Sequence, residues 1–276
     1  MFSTSGIRIA TGLLAAALAL AATPSRAGEV FLTGHDPDFH AQGSPGAVNL
    51  LREGLNFVTG GTYNDNNPAT KFLWVESSGA VPGGHLRGSD SLSVIGAQLG
   101  NDYDIVDAAG LATANFANYN AIAIASTFGG TLSAAELTGL VARAADIKTF
   151  INNGGGLFAS AECYPCGADL AGNAANLFAY LPVTVTSIGA NAPFTVTPYG
   201  QTLGLTGADL NDPTHNSFGL VGGLNIVDTD SAGNATTLAG NVTIGDGGFV
   251  GAPEPASFAL LAVALGGLAR VRRRRS

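Results

Sequence analysis

Apolar positions in the first two-thirds of the chain follow two alternating patterns. Short runs that predict strands occur at residues 29–33, 71–75, 103–106, 120–126 and 156–161, and the last two have the apolar centre typical of buried strands. Longer segments with helical spacing lie between them, at residues 47–58, 89–99 and 133–152. The last helix opens on Ser133 and Glu136, a capping-box pattern. This alternation predicts an α/β fold with a doubly wound, mostly parallel sheet.

The pattern changes after Pro182. Strand-like segments at residues 183–188, 194–198, 224–228 and 236–242 are separated by Gly, Asn and Asp. They predict extra C-terminal strands or an antiparallel extension of the sheet. Residues 245–251 are rich in glycine, which predicts a flexible tether after a domain that spans residues 28–244.

Residues 1–27 predict a secretory signal peptide. Arg8 supplies a positive start, an apolar run follows, and Ser25 and Ala27 are the small residues expected before a cleavage site. The alternative is a lone N-terminal membrane helix, for which the apolar run is short.

The C-terminal residues 252–276 have three parts. Pro253, Glu254 and Pro255 come first, and the two prolines keep this triplet out of a helix. An apolar run of 14 residues follows, from Ala256 to Ala269, which is shorter than the roughly 20 residues that span a bilayer. Arg270 and the cluster Arg272–Arg275 follow near the end of the chain, and this end would stay in the cytoplasm.

This tripartite order resembles the PEP-CTERM sorting signal. The resemblance implies a Gram-negative bacterium, export, transient anchoring in the inner membrane, and recognition of Pro253, Glu254 and Pro255 by an exosortase-type transpeptidase. Release to the cell surface or an extracellular matrix would follow. A plain C-terminal tail anchor is the alternative, although such an anchor needs no PEP triplet.

Charge narrows the range of partners for the mature body, residues 28–251. It carries five Lys or Arg and nineteen Asp or Glu, a formal charge of −14. A body this acidic repels nucleic acid and anionic lipid. No nucleic-acid partner is therefore expected, and an extracellular polysaccharide is the partner that a surface location suggests.

Residues 119–161 carry a second resemblance. A buried strand, a helix and the sequence F-INNGGGLFASAE are similar to the class I glutamine-amidotransferase-like fold, including its ThuA-like relatives. That resemblance implies a parallel sheet, amidotransferase-like or flavodoxin-like, with a central turn after residue 161. Cys163 does not occupy the family's nucleophile position, because the flanking glycines of the G-x-C-x-G elbow are missing.

The two cysteines, Cys163 and Cys166, form a C-x-x-C pair. In an exported protein this pair predicts a small-loop disulfide, with free thiols or a catalytic pair as alternatives. A four-cysteine zinc site within one chain is excluded.

Candidate catalytic residues follow the predicted strands, at the edge where open α/β sheets bind ligands. They are His35, Asp36 and His40 after the first strand, Glu162 after the strand at 156–161, and His215 with Asn216 in a late loop. Histidine and carboxylate together suit general acid–base chemistry or a divalent metal, and no other cofactor is expected. Turn formation is the alternative role of the His35–His40 loop, because Asp and Pro build β-turns.

Two functions from different classes are compatible with these features. The first is a non-enzymatic surface or matrix protein with a binding cleft at the carboxyl edge of the sheet. The second is an extracellular hydrolase acting on carbohydrate or a related polymer. Convergence of the candidate side chains on one pocket would favour the enzyme.

Overall fold

The computed structural model describes residues 27–81, 86–127, 131–161, 177–188, 192–210 and 216–251. Five parallel strands form one half of its sheet, in the order β3-β2-β4-β5-β1. Their bounds are β1 Gly28–Thr33, β2 Phe72–Val75, β3 Tyr103–Val106, β4 Ala121–Ile124 and β5 Gly156–Ser160. Strands β2, β4 and β5 are buried along their whole length, as continuous apolar runs predict.

Helices connect these strands. They are α1 Pro37–His40, α2 Pro45–Val58, α3 Gly88–Val94, α4 Ala108–Thr113, α5 Ala134–Ala142, α6 Ala144–Asn152 and the late helix α7 Pro198–Thr202, with 3₁₀ turns at Phe116–Asn118 and Gly207–Leu210. The predicted mixed α/β class is confirmed.

Helices α2 and α6 cover opposite faces of the parallel half. A Cβ on Gly54 of α2 would meet the rings of Phe158 and Phe31, whereas a Cβ on Gly28 would meet Ile151 of α6. Residues 28 and 31 of a strand point to opposite faces because side chains alternate. Helices on both faces are compatible with the predicted doubly wound arrangement.

Two predicted helices are shorter than their apolar patterns suggest. Helix α3 ends at Val94 because the chain turns through Gly96, which has a φ of +91°. The segment predicted as one helix is divided at Arg143, whose φ of −105° and ψ of 16° depart from helical values. The predicted capping box of Ser133 and Glu136 is present at the start of α5.

The later strands extend the sheet beyond β1 in antiparallel pairings. They are β6 Val185–Ile188, β7 Thr195–Val196, β8 Asn216–Phe218, β9 Asn225–Thr229, β10 Ala235–Gly245 and β11 Gly248–Gly251. Strand β10 pairs with β1 on one side and with β9 and β11 on the other, so it joins the two halves. The predicted antiparallel extension is confirmed.

Two details of the prediction are wrong. Residues 245–251 do not form a tether, because Gly248–Gly251 pairs with β10 as the second strand of a hairpin and buries Phe249. A flavodoxin-like sheet has the order 2-1-3-4-5, with β1 between β2 and β3. Here β1 lies between β5 and β10.

The two terminal signals and the pair Cys163 and Cys166 lie outside the described residues. Among the helices that are described, none has the length and apolarity needed to cross a bilayer. The predicted sorting, processing and disulfide therefore stay predictions.

Candidate functional site

The carboxyl ends of β1, β4 and β5 meet at one edge of the sheet. Strands β1 and β5 are parallel neighbours, and the register aligns Thr33 with Ser160. The Ala161 amide continues this pairing by donating to the Thr33 carbonyl over 2.9 Å. Residues that follow these two strands therefore start from the same edge of the sheet.

His35 is completely buried and held by a carboxylate from the antiparallel extension. Its Nε2 atom lies 3.0 Å from Asp228 Oδ2, and both side chains are inaccessible to solvent. The Thr236 hydroxyl donates to the same carboxylate oxygen. The ring of Phe194 packs against the imidazole at 5.0 Å between centroids. This environment fixes His35 inside the body and joins β1 to strands β9 and β10.

Asp36 and His40 interact with each other across the short helix α1. Asp36 Oδ2 lies 3.4 Å from His40 Nε2, and the side chain of His40 keeps 28% of its exposure. Partial burial lowers the pKa of His40 below its usual value. His40 is therefore a partly exposed, predominantly neutral imidazole at neutral pH, whereas His35 has no solvent access.

Asn216 lies beside the His35 loop, as part of strand β8. A Cβ added to Gly34 would stand 1.9 Å from the Asn216 carbonyl oxygen, so glycine is required for this approach. Asn216 is buried. Glu162 and His215 lie outside the described residues. Of the six predicted site residues, the structure thus joins Asp36 with His40 and places Asn216 beside the loop that carries His35.

A buried acid that the sequence did not single out lies at the same edge. Asp38 Oδ2 accepts a 2.7 Å hydrogen bond from the Ser126 amide beyond β4, and Asp38 Oδ1 has no hydrogen-bond partner among the residues that the structure describes. Burial raises the pKa of Asp38 to about 6, the negative charge of Glu76 contributes further, and the hydrogen bonds from Ser126 oppose the shift. Asp38 is consequently a carboxyl group that changes charge near neutral pH.

Glu76 follows β2 and organises a neighbouring part of the edge. Its Oε2 atom accepts hydrogen bonds from Trp74 Nε1 at 2.9 Å and from the Ser89 amide at 3.0 Å. The Ser89 hydroxyl donates to Oε1 over 2.6 Å. Glu76 thus attaches the start of helix α3 to strand β2. The signal that marks Glu76 is the one that marks Glu162, an acidic residue directly after a buried strand.

A cleft of about 410 Å³ opens beside Glu76, beyond the carboxyl ends of β2 and β3. Its lining combines hydroxyl groups, two carboxylates, one guanidinium and the apolar side chains of two β3 residues. The lining residues are Glu76, Ser77, Ser78, Arg87, Ser89, Ile105, Val106, Asp107 and Gly110. Open α/β sheets bind ligands at the carboxyl edge of their strands, and this cleft lies at that edge. None of the four predicted site residues that the structure describes, His35, Asp36, His40 and Asn216, lines this cleft.

Hydrogen bonds of Arg87 and Asp107 hold the residues that line this cleft. The Arg87 guanidinium donates to the Ser77 carbonyl and, over 2.7 Å, to the Gly79 carbonyl, which holds the segment after β2 in place. The Ser78 hydroxyl donates to Asp107 Oδ2 over 2.6 Å and joins the segments that follow β2 and β3. Asp107 also caps helix α4 by accepting from the Gly110 amide. Hydrogen bonds of Asp107 to Gly110 and Ser78 lower its pKa, so it is ionised at neutral pH.

No cluster of three or more His, Cys, Asp or Glu side chains that could hold a metal ion occurs among the described residues. The chain matches no family model, no curated protein and no solved structure.

Proposed function

We propose that the chain is an exported surface protein whose body binds a polar, hydroxyl-rich ligand in the cleft beside Glu76. The observation that carries this proposal is the position of the cleft at the carboxyl edge of the parallel strands. An extracellular polysaccharide segment is the ligand class that fits best. Its hydroxyl groups would exchange hydrogen bonds with Ser77, Ser78 and Asp107, and Ile105 and Val106 would contact its apolar ring faces.

Burial of His35 supports the binding role over a catalytic one. A general acid or base has to reach the substrate within hydrogen-bond distance, directly or through one water molecule. His35 has no solvent access and is paired with Asp228. We therefore assign His35 a structural role.

Binding is tested with an oligosaccharide array probed by the mature protein and by two tryptophan variants. Ser78→Trp places an indole at the cleft mouth and should abolish the array signal. Ser93→Trp makes the same change at an exposed serine of helix α3 outside the cleft and should preserve it. Equal signals from Ser78→Trp and the unmodified protein would refute binding in the cleft.

A hydrolase remains the alternative function, and the partly exposed pair Asp36 and His40 is the observation that favours it. Release of reducing ends from a polysaccharide, lost in His40→Ala and retained in Ser78→Trp, would support the hydrolase. Absence of turnover with binding intact would support the binding protein.

We further propose that Pro253, Glu254 and Pro255 direct processing by an exosortase-type transpeptidase. The support is the tripartite order of residues 252–276 and the predicted signal peptide. Glu254→Ala should leave the protein in the inner membrane, whereas Asp246→Ala, which removes an exposed acid of the nearby hairpin, should not. Full-length protein that still carries the terminal arginines in the extracellular fraction would contradict this proposal.

A further inference from the structure

Most side-chain donors that line the cleft are already used inside the protein. The Arg87 guanidinium donates to three backbone carbonyls in the segment 77–79. The Ser89 hydroxyl donates to Glu76 Oε1 over 2.6 Å. The cleft therefore offers a ligand mainly acceptors, which are carboxylate and hydroxyl oxygens.

Asp107 is a carboxylate of the cleft that keeps acceptor capacity. It accepts from the Gly110 amide over 2.9 Å and from the Ser78 hydroxyl over 2.6 Å. The two oxygens of an ionised carboxylate accept about four hydrogen bonds in total. Asp107 is only partly buried, so a donor of the ligand reaches its remaining positions.

The charge of Asp107 is not neutralised by an ion pair within the described body. Arg87 offsets one of the two carboxylates of the lining, which leaves the cleft a formal charge of −1. The other four bases of the body pair with acids elsewhere; the pairs are Arg52 with Glu53, Lys71 with Asp104, Arg143 with Asp146 and Lys148 with Asp246. A body with a formal charge of −14 attracts a cationic ligand to this cleft and repels a polyanion.

We infer that the ligand of this cleft is a polysaccharide of amino sugars that carry free ammonium groups. This inference rests on the proposed binding function and specifies its ligand class. An ammonium group has three donors and no acceptor, so it matches a cleft that offers acceptors. Its hydrogen bond to the Asp107 carboxylate is charge-assisted and therefore stronger than a hydrogen bond from a hydroxyl group.

The serine oxygens distinguish an amino sugar from a basic peptide. Ser77, Ser78 and Ser89 each present a hydroxyl oxygen that accepts hydrogen bonds. An amino sugar holds hydroxyl donors beside its ammonium group on one rigid ring, so it supplies partners for the serines and for Asp107 together. A lysine side chain carries its ammonium group at the end of an apolar stem and leaves the serine oxygens without partners.

Affinity for matched oligomers tests the inference. The probes are glucosamine hexamers in both common β-linkages, the same hexamers with every amine acetylated, and hexalysine. The mature protein is titrated by calorimetry in low salt at about pH 6, where the amines are protonated and Asp107 is ionised. A glucosamine hexamer should bind about fivefold tighter than its acetylated counterpart, and tighter than hexalysine, because its ammonium pairs with Asp107.

Two variants and one change of solvent locate the charge. Asp107→Asn keeps the shape and an oxygen for the Gly110 amide, and it should abolish the preference for the glucosamine hexamer. Asp246→Asn removes the same charge from an exposed acid outside the cleft and should retain this preference. Salt at about 0.5 M should also reduce the preference in the unmodified protein, because it shortens the screening length to a few ångströms.

Equal affinity for the glucosamine and acetylated hexamers, or a preference that survives Asp107→Asn, would overturn the inference. Tighter binding of hexalysine would overturn it in favour of a basic peptide, and absence of binding by every hexamer would overturn it as well. None of these results removes the proposed binding function, which the oligosaccharide array tests separately. Binding of a hexamer that Ser78→Trp leaves unchanged would instead overturn the cleft as the binding site.

Discussion

Replacing Asp38 with asparagine should change how the stability of the protein depends on pH. The pKa of Asp38 rises from 3.8 to about 6 on folding, mainly through burial. An acid with a raised folded-state pKa is easier to ionise in the unfolded chain. The free energy of unfolding therefore falls as the pH rises from the pKa of the unfolded chain to the pKa of the folded protein. Above about pH 6 the loss has reached its full size.

The magnitude follows from the shift. About two pKa units at 1.36 kcal/mol each correspond to roughly 3 kcal/mol of unfolding free energy between pH 3.5 and pH 7. Asp38→Asn removes the titration but keeps the shape and an acceptor for the Ser126 amide. Between pH 3.5 and pH 7, the free energy of unfolding of the variant should therefore rise by about 3 kcal/mol relative to that of the parent protein. A constant difference in stability between the two proteins at low pH does not affect this change.

Urea unfolding at half-unit pH steps measures this difference directly. Subtracting the two curves cancels every acid that the proteins share. Asp90→Asn, at an exposed residue of helix α3, is the matched control and should run parallel to the parent protein. If the stability curves of Asp38→Asn and the parent protein also run parallel, burial does not raise the pKa of Asp38, and the reasoning is refuted.

Three further substitutions test the packing that positions the edge, each by chemical denaturation. Asp228→Ala should lower the free energy of unfolding by about 3 kcal/mol because it removes the shared hydrogen-bond partner of the buried side chains of His35 and Thr236. Asp246→Ala, at an exposed acid, should change the free energy of unfolding by less than about 0.5 kcal/mol. Gly34→Ala should lower the free energy of unfolding by about 2–3 kcal/mol, because its Cβ would meet a carbonyl oxygen of strand β8 at 1.9 Å. Gly43→Ala, with open space around its Cβ, should leave the free energy of unfolding unchanged. Equal losses in the two variants would contradict the close approach at Gly34. Phe249→Ala should lower the free energy of unfolding by about 3 kcal/mol, because the hairpin buries this ring. An unchanged free energy of unfolding would favour a flexible tether at residues 245–251.

Local patterns were sufficient to predict the parallel half of the fold. Continuous apolar runs identify strands buried on both faces, and the capping box at Ser133 identifies the start of helix α5. Both signals depend on residues close together in the chain. The division of the long predicted helix at Arg143 and the early end of α3 depend on backbone angles that apolar spacing does not encode.

The candidate site was only partly predictable. The predicted parallel sheet correctly indicated that residues after β1 and β5 lie at one edge, and His35 follows β1. Its partner Asp228 is 193 residues away, so no spacing rule could pair them or predict that His35 would be buried. Glu76 carried a recognisable signal, an acid after a buried strand, but the cleft beside it also needs Arg87 and Asp107 from other elements.

The glycine-rich segment at residues 245–251 shows a different limit. Glycine content favours a flexible tether in an isolated chain. The strand β10 offers unpaired backbone groups next to it, and Phe249 supplies an apolar side chain that becomes buried. Tertiary pairing therefore decides the conformation of this segment, and sequence composition alone does not report it.

Chemical-shift mapping of the mature protein tests the central claim, that the cleft beside Glu76 is the ligand site. Oligosaccharides that score on the array are titrated into isotope-labelled protein, and backbone amide shifts are followed. The account predicts saturable shifts concentrated at Ser77, Ser78, Asp107 and Gly110, which line the cleft. Shifts concentrated around Asp36 and His40, with the cleft amides unchanged, would contradict it.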